Sequence, residues 1–195
     1  MKKLGTVILL LLAGSATAAD RLQAVQVAGL TVPGTPAMGK ALGFTACEDK
    51  YSYYECKRNK PLLVYGAAAD SASVFIDGKD NFSITDDTTT APKVSEVPQE
   101  KLSYRSIRLN FDVTERETLE NALKADGWLK AGSGNSRSYF KEGVPAAFKI
   151  HRSLTSLTPV DLSEVQSQVA KLKGKAAEAA KASTSSSSFI DAMQK

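Results

Sequence analysis

The 195-residue chain has few of the side chains that carry most enzyme and metal chemistry: one histidine, His151, and two cysteines, Cys47 and Cys56. A structural zinc site needs four ligands, and these residues fall short of four. A histidine-dependent mechanism would have to use His151. The alternation around Phe148 and Ile150 places His151 on the face opposite the predicted core. The sequence therefore predicts no metal, no cofactor and no catalytic residue.

Catalytic and phosphate-binding motifs are also absent. The sequence has no G-x-S-x-G nucleophile elbow, and Gly132–Ser136 lacks the strand-to-helix setting of a phosphate loop. Four aspartates lie close together: Asp77, Asp80, Asp86 and Asp87. No glutamate closes an EF-hand pattern there. A hydrolase whose site is built from scattered carboxylates or serines is kept as the alternative function.

No apolar run beyond the N-terminus is long enough to span a bilayer. The formal net charge of +4 includes Lys2 and Lys3, so losing those two lysines with residues 1–18 would lower it by two, to +2. No dense stripe of Lys and Arg with interleaved aromatics occurs. The sequence therefore predicts neither an integral membrane segment in the mature chain nor a nucleic-acid partner.

The first 18 residues have the pattern of a secretory signal peptide. Lys2 and Lys3 precede an apolar run from Leu4 to Ala13, and Ala16-Thr17-Ala18 is a small-x-small cleavage site. A signal anchor, the alternative, would need about 18 or more apolar residues. The pattern predicts export to the periplasm or secretion.

The two cysteines lie in Leu42–Pro61, nine residues apart. In an exported chain an even pair usually forms a disulfide. A hairpin between Cys47 and Cys56 would place them opposite each other. Closing this short loop would stabilise the fold by roughly 2–3 kcal/mol.

The same hairpin carries a candidate binding surface. Its members are Tyr51, Tyr53, Tyr54, Lys57 and Arg58. Tyrosines with basic neighbours are favoured at protein interfaces. The alternative is that the tyrosines only cover the disulfide and the sheet.

Pattern and turn signals predict an α+β fold of two similar helix-plus-antiparallel-sheet units followed by a C-terminal amphipathic helix. The predicted segments are a first unit at 19–85, a linker at 86–102, a second unit at 103–157 and a tail at 158–195. Thr35-Pro36 starts the first helix. Thr114 and Glu117 form a capping box at the start of the second.

A weak internal repeat supports the two units. At an offset of 84 residues Lys40, Ala41, Gly43, Lys57 and Pro61 match Lys124, Ala125, Gly127, Lys141 and Pro145. Phe44 falls on Trp128, so both aromatics are expected under their helices. The alternative is coincidence, because glycine caps and hairpin prolines are common in α+β chains.

The first half of the chain contains, in this order, Thr35-Pro36, a short helix, Gly43-Phe44, a hairpin and VFIDGKDNFSI at Val74–Ile84. This order resembles the helix-plus-antiparallel-sheet unit of the group that contains the small barrel-assembly lipoprotein and the β-lactamase-inhibitor protein. The lipid-bearing cysteine is missing here. The resemblance implies a curved antiparallel sheet behind a short helix and the binding of another protein. The resemblance assigns no functional-site residue to this chain.

The C-terminal tail has a narrow heptad seam. Its large members are Leu162, Val165, Val169 and Leu172. We expect a helix that binds a partner or self-associates and stays off the globular core, followed by a flexible serine tract at Ser183–Ser188. A solvated, frayed tail is the alternative. Together these features predict an exported, non-catalytic binding or adaptor protein, such as an inhibitor, an immunity-type protein or an envelope-assembly factor.

Overall fold

A computed structural model of the protein describes residues 24–78 and 93–193, with side chains described as far as residue 179. Within these ranges the fold is mixed α+β, with one large antiparallel sheet and three helices. The predicted signal peptide at 1–18 lies outside the described residues, and the predicted linker at 86–102 is described only from residue 93. Signal cleavage stays a prediction.

The elements follow one another along the chain. The helices are α1 (Pro36–Ala41), α2 (Val113–Ala125) and α3 (Leu162–Met193). The strands are β1 (Val25–Val27), β2 (Leu30–Val32), β3 (Phe44–Asp49), β4 (Tyr54–Arg58), β5 (Leu62–Val64), β6 (Ala67–Ala69), β7 (Ser71–Gly78), β8 (Leu102–Asn110), β9 (Leu129–Ser133), β10 (Ser136–Phe140), β11 (Ala146–His151) and β12 (Leu154–Pro159). Two 3₁₀ turns, Val94–Glu96 and Gln99–Lys101, precede β8.

Eight strands form the main sheet in the order β3-β4-β7-β8-β12-β11-β10-β9. Its centre is the antiparallel pair β8–β12, in which Ile107 lies opposite Leu157. The strand β8, which the sequence assigned to the second unit, also pairs along its length with β7 of the first. The segments 19–85 and 103–157 therefore contribute to one continuous sheet.

The strand β12 was not predicted. The predicted tail begins at residue 158, but Thr158 and Pro159 are the last two residues of this strand. Thr155 and Leu157 are buried and alternate with half-buried Ser156, as in a strand with one covered face. A proline at the end of a strand is compatible with the ladder, and the helix begins only at Leu162.

The main core lies on one face of the sheet, which we call the covered face. It is closed by α1, α2 and two small hairpins, β1–β2 and β5–β6. Both aromatics predicted to lie under the helices are buried: Phe44 and Trp128 are each 2 % exposed. The Trp128 ring meets Phe148 edge-on at 5.2 Å between centroids. Whether Phe44 and Trp128 occupy equivalent positions stays a prediction.

The helices α1 and α2 each begin after a residue whose side chain caps the helix. The cap of α1 was predicted correctly and the cap of α2 was not. Thr35 caps α1, because its hydroxyl accepts a hydrogen bond from the Met38 amide at 3.3 Å. At α2 the cap is Asp112, whose carboxylate accepts from the Glu115 amide at 2.7 Å. The predicted Thr114 cap is wrong, because Asp112 takes the same role two residues earlier.

The predicted disulfide is confirmed. Cys47 and Cys56 lie directly opposite each other on β3 and β4, and their sulfurs are 2.05 Å apart. The bond joins the edge strand of the sheet to its neighbour. A stable disulfide indicates an oxidising compartment.

Side chains tie the two halves together across the covered face. The Tyr65 hydroxyl donates to Asp126 at 2.7 Å, and the Trp128 indole N–H lies 3.2 Å from the same carboxylate oxygen. The Lys141 ammonium binds the other oxygen at 2.9 Å. These contacts hold the pKa of Asp126 down at about 2. The amide of Ala68 also donates to the Glu115 carboxylate, which fixes β5–β6 against α2.

The C-terminal helix packs on the second face of the sheet. Val165 and Val169 are buried, in a small core with Phe140 of β10 and Ala147 of β11. The expectation that the helix stays off the globular core is therefore wrong for its first three turns. The predicted interface residue Leu172 is also packed there, whereas Leu162 is 44 % exposed.

The serine tract differs from its prediction as well. Ser183–Ser188 was expected to be flexible, but α3 runs through it as far as Met193. At 1.5 Å per residue a helix of 32 residues is about 48 Å long. From Lys173 to residue 179 its residues are exposed, so α3 continues past the sheet as an arm.

Candidate functional site

The second face of the sheet is only partly covered. We call it the open face where it is formed by β4, β7, β8, β12 and β11. In register across these strands it presents Lys57, Ser73, Arg108, Ser156 and Lys149. The helix α3 contacts mainly β9 and β10, and among the described residues Lys57, Arg108 and Lys149 of the open face are exposed. A broad sheet surface is thus accessible next to a helix-covered one.

An aromatic and cationic cluster lies on the open face. The Phe75 ring is 5.4 Å from the Tyr53 ring, and the Arg108 guanidinium carbon lies 4.0 Å above the Phe75 centroid. An arginine at this distance gains a cation–π interaction. Arg108 is exposed, and no ion pair joins it to another described residue.

The strand alternation explains why a large aromatic is on this side. In β7 Ala72, Val74 and Ile76 are buried on the covered face. Phe75 lies between them in sequence and points the other way, so it is half-buried on the open face. Aromatic residues and arginine are enriched at protein interfaces, so Phe75 beside Arg108 is a candidate contact residue.

The structure divides the five residues of the predicted binding surface. Tyr53 and Lys57 lie on the open face, where the Lys57 ammonium is 3.7 Å from Glu55. Tyr54 and Arg58 share the covered face with Ile76 and Ala72, their partners in β7. Tyr51 lies at the tip of the hairpin and is 56 % exposed. Of the five, only Tyr53 and Lys57 thus lie on the open face.

The remaining predicted residues have structural roles that can be read from their contacts. The Arg58 guanidinium donates to the carbonyls of Leu42 and Lys60 and so fixes the end of α1. The Tyr51 carbonyl accepts from the Val94 amide at 2.7 Å, which attaches the hairpin tip to the segment before β8.

Sequence reasoning missed Phe75 and Arg108. The sequence does mark Phe75 as unusual, because it is an aromatic residue at a position where the alternation of the strand predicts a polar one. Their proximity depends on the pairing of β7 with β8, in which Arg108 lies opposite Ser73, next to Phe75. No local pattern encodes that pairing.

A half-buried carboxylate lies at the end of β7. Burial raises the pKa of Asp77 to about 6, although the nearby Arg105 charge opposes the shift. Oxygen Oδ1 of Asp77 is buried without a hydrogen-bond partner among the described residues. An ionised carboxylate in such a position destabilises the native state.

We expect this group to give a measurable pH dependence of stability. Between the ordinary pKa of 3.8 and about 6, the native carboxyl keeps its proton while the unfolded one has lost it. The free energy of unfolding therefore falls as pH rises through this window. In Asp77→Asn the decrease in the free energy of unfolding across this window should be smaller by about 1 kcal/mol. This value already allows for partial screening of the carboxylate by solvent.

Urea unfolding of wild type and Asp77→Asn at several pH values checks the prediction. The matched control is Asp126→Asn, since the pKa of Asp126 is lowered to about 2 and its contribution is lost only as pH falls below the window. Parallel pH curves for wild type and Asp77→Asn would contradict the assignment.

A polar depression of about 380 Å³ lies between α2 and the β9–β10 hairpin. Glu117 and Glu120 line it. Glu120 accepts from the Tyr139 hydroxyl and binds the Arg137 guanidinium, each at 2.5 Å. Burial opposes ionisation of Glu120, but these two bonds outweigh it and hold its pKa below the usual value. Glu120 thus anchors the hairpin to its helix.

No group of three or more His, Cys, Asp or Glu side chains among the described residues is arranged to hold a metal ion. His151 is exposed on β11, on the same side as Lys149. None of the described helices combines the length and the apolar character that crossing a membrane requires. Comparison of the chain with protein-family models, curated proteins and solved structures finds no match.

Proposed function

We propose that this is an exported protein that binds another protein through the open face of its sheet. The observation that carries the proposal is the cluster of Arg108, Phe75 and Tyr53. Arginine and aromatic residues dominate the energetics of protein interfaces. Here Arg108 and Phe75 lie on the neighbouring strands β8 and β7, and Tyr53, in the turn before β4, brings its ring to 5.4 Å from that of Phe75.

Export is supported by two independent features. The N-terminal 18 residues have the pattern of a signal peptide, and the cysteines form a disulfide. We propose the periplasm or the extracellular space as the location. An inhibitor, an immunity-type protein or an envelope-assembly factor would work there without catalytic chemistry.

We also propose that the two halves are related units. The support is the strand order: α1 is followed by β3, β4, β7 and β8, and α2 by β9, β10, β11 and β12, and the sheet order runs outward from β8–β12 to β3 on one side and β9 on the other. This arrangement agrees with the resemblance to the lipoprotein and inhibitor group, whose known members bind proteins.

The partner is assigned to the open face rather than to α3. Of the four seam residues, Val165 and Val169 are buried and Leu172 is packed against the sheet. Self-association through that seam would require the helix to leave its own sheet. The open face needs no such rearrangement.

Photo-crosslinking in the producing cells tests the proposal. A photoreactive amino acid replaces Ser73, which lies between Lys57 and Arg108, and in a control it replaces Lys40 on α1. We expect a discrete adduct with another protein from position 73 and none from position 40. The adduct should be lost when Arg108→Glu is added and kept when Lys101→Glu is added.

Circular dichroism of each variant confirms that the fold is intact. Adducts only from position 40, equal adducts from both positions, or no adduct from position 73 would each overturn the assignment of the open face.

A further inference from the structure

Three cations lie in one row across the open face. Lys57, Arg108 and Lys149 occupy the same register position on β4, β8 and β11. They alternate with hydroxyl side chains, because Ser73 lies between the first two and Ser156 between the last two. Neighbouring strands are about 4.8 Å apart, so successive cations recur about every 10 Å.

Within residues 24–78 and 93–179, the row is exposed and few carboxylates lie near it. Strands β8 to β12 contain no aspartate or glutamate. Arg108 and Lys149 are exposed, and no ion pair joins either to another described residue. Lys57 has a carboxylate, Glu55, at 3.7 Å. The uncompensated charge is therefore greatest at Arg108 and Lys149.

We infer that the partner presents an acidic α-helix to this row, with carboxylates seven residues apart. Seven residues of helix rise about 10.5 Å, which matches the spacing of the cations. Consecutive side chains on one face of an extended strand are only about 7 Å apart. The same face already accepts a helix, since α3 packs on Phe140 and Ala147. This inference rests on the proposed function and specifies the chemistry of its partner.

Two other occupants fit less well. The arm of α3 beyond Leu172 carries three lysines and two acids, Lys173, Lys175, Lys181, Glu178 and Asp191, so the arm of a second copy is not complementary. A nucleic-acid strand carries one charge per about 3.4 Å, far denser than one cation per about 10 Å.

Arg108 is suited to the central contact. Its contact with Phe75 holds the guanidinium over the ring, and a guanidinium presents its N–H groups in a rigid planar fork. A carboxylate can accept two parallel hydrogen bonds from such a fork. Lys149 and Lys57 then act as point charges on either side.

The test uses two alanine-based helical peptides of identical composition, each with three glutamates. One has them seven residues apart, and the other five residues apart, so that they face different directions. Amide chemical shifts of the labelled full chain report binding. We expect the first peptide to bind about fivefold more tightly, with shifts at Ser73 and Ser156, because the second can make fewer contacts at once.

Variants then locate the contacts. Lys149→Gln and Arg108→Gln should each weaken the first peptide about threefold, and Lys40→Gln on the opposite side should change nothing. Equal binding of both peptides, shifts elsewhere, or equal binding of oligothymidylate at the same residues would overturn the inference. An open-face crosslink with a protein partner, found together with any of these results, would keep the proposed function and reject only the acidic helix.

Discussion

Val169→Asp is expected to release α3 from the sheet and to lower the free energy of unfolding by about 3 kcal/mol. Val169 is 3 % exposed and Val165 is fully buried. Burying each valine side chain contributes about 1.5–3 kcal/mol. An aspartate at position 169 would have to lose its charge or leave the small core. The cost is limited by the docking energy of α3, because the helix can detach while the main core persists.

Urea unfolding and circular dichroism measure the effect. A detached helix is marginal in water, so part of the helical signal should disappear with the stability. The matched control is Ala170→Asp, which adds the same charge at the next, exposed position and should change stability by less than about 0.5 kcal/mol. Similar stability of both variants would show that α3 is an independent tail.

Local signals predicted much of the fold. The Thr35 cap with its following proline, the alternation in β8 and the hairpin spacing of Cys47 and Cys56 are each complete within about ten residues. Such features are encoded by the backbone and the neighbouring side chains, so a short window of sequence is sufficient.

Non-local pairing could not be predicted in the same way. Thr155 and Leu157 of β12 become recognisable as core residues only when β8 lies beside them. The narrow seam of α3 likewise predicted one facing helix, whereas the surface it meets is a sheet with Phe140 and Ala147. An apolar seam indicates that another surface covers it, but it does not identify that surface.

In the candidate site, too, the locally encoded residues were predicted and those brought in by non-local pairing were not. The hairpin composition pointed to Tyr53 and Lys57, which do lie on the open face. Arg108 is brought beside Phe75 by the β7–β8 pairing, across a segment that the sequence reads as a linker. The central residues of the site therefore come from both predicted units, and neither unit alone contains it.

Gly34→Ala is expected to destabilise the protein by about 3 kcal/mol, because the site has no space for a methyl group. Gly34 and Tyr104 exchange backbone hydrogen bonds of 2.9 and 2.8 Å. A Cβ at position 34 would lie 2.2 Å from both Cζ and the hydroxyl oxygen of Tyr104. That ring is fully buried and cannot move aside without disturbing β8. Overpacking of this kind costs about 1–3 kcal/mol and sometimes more.

The control separates this steric cost from ordinary effects of glycine. Gly174, in the exposed part of α3, has nothing within 4 Å of an added Cβ, so Gly174→Ala should instead stabilise by about 0.5–1 kcal/mol. Tyr104→Leu removes the phenol group that an alanine at position 34 would strike. The pair Gly34→Ala and Tyr104→Leu should therefore cost at least about 1 kcal/mol less than the sum of the two single changes. Additive costs in urea unfolding would mean that the Gly34 effect comes from the backbone and not from contact with the ring.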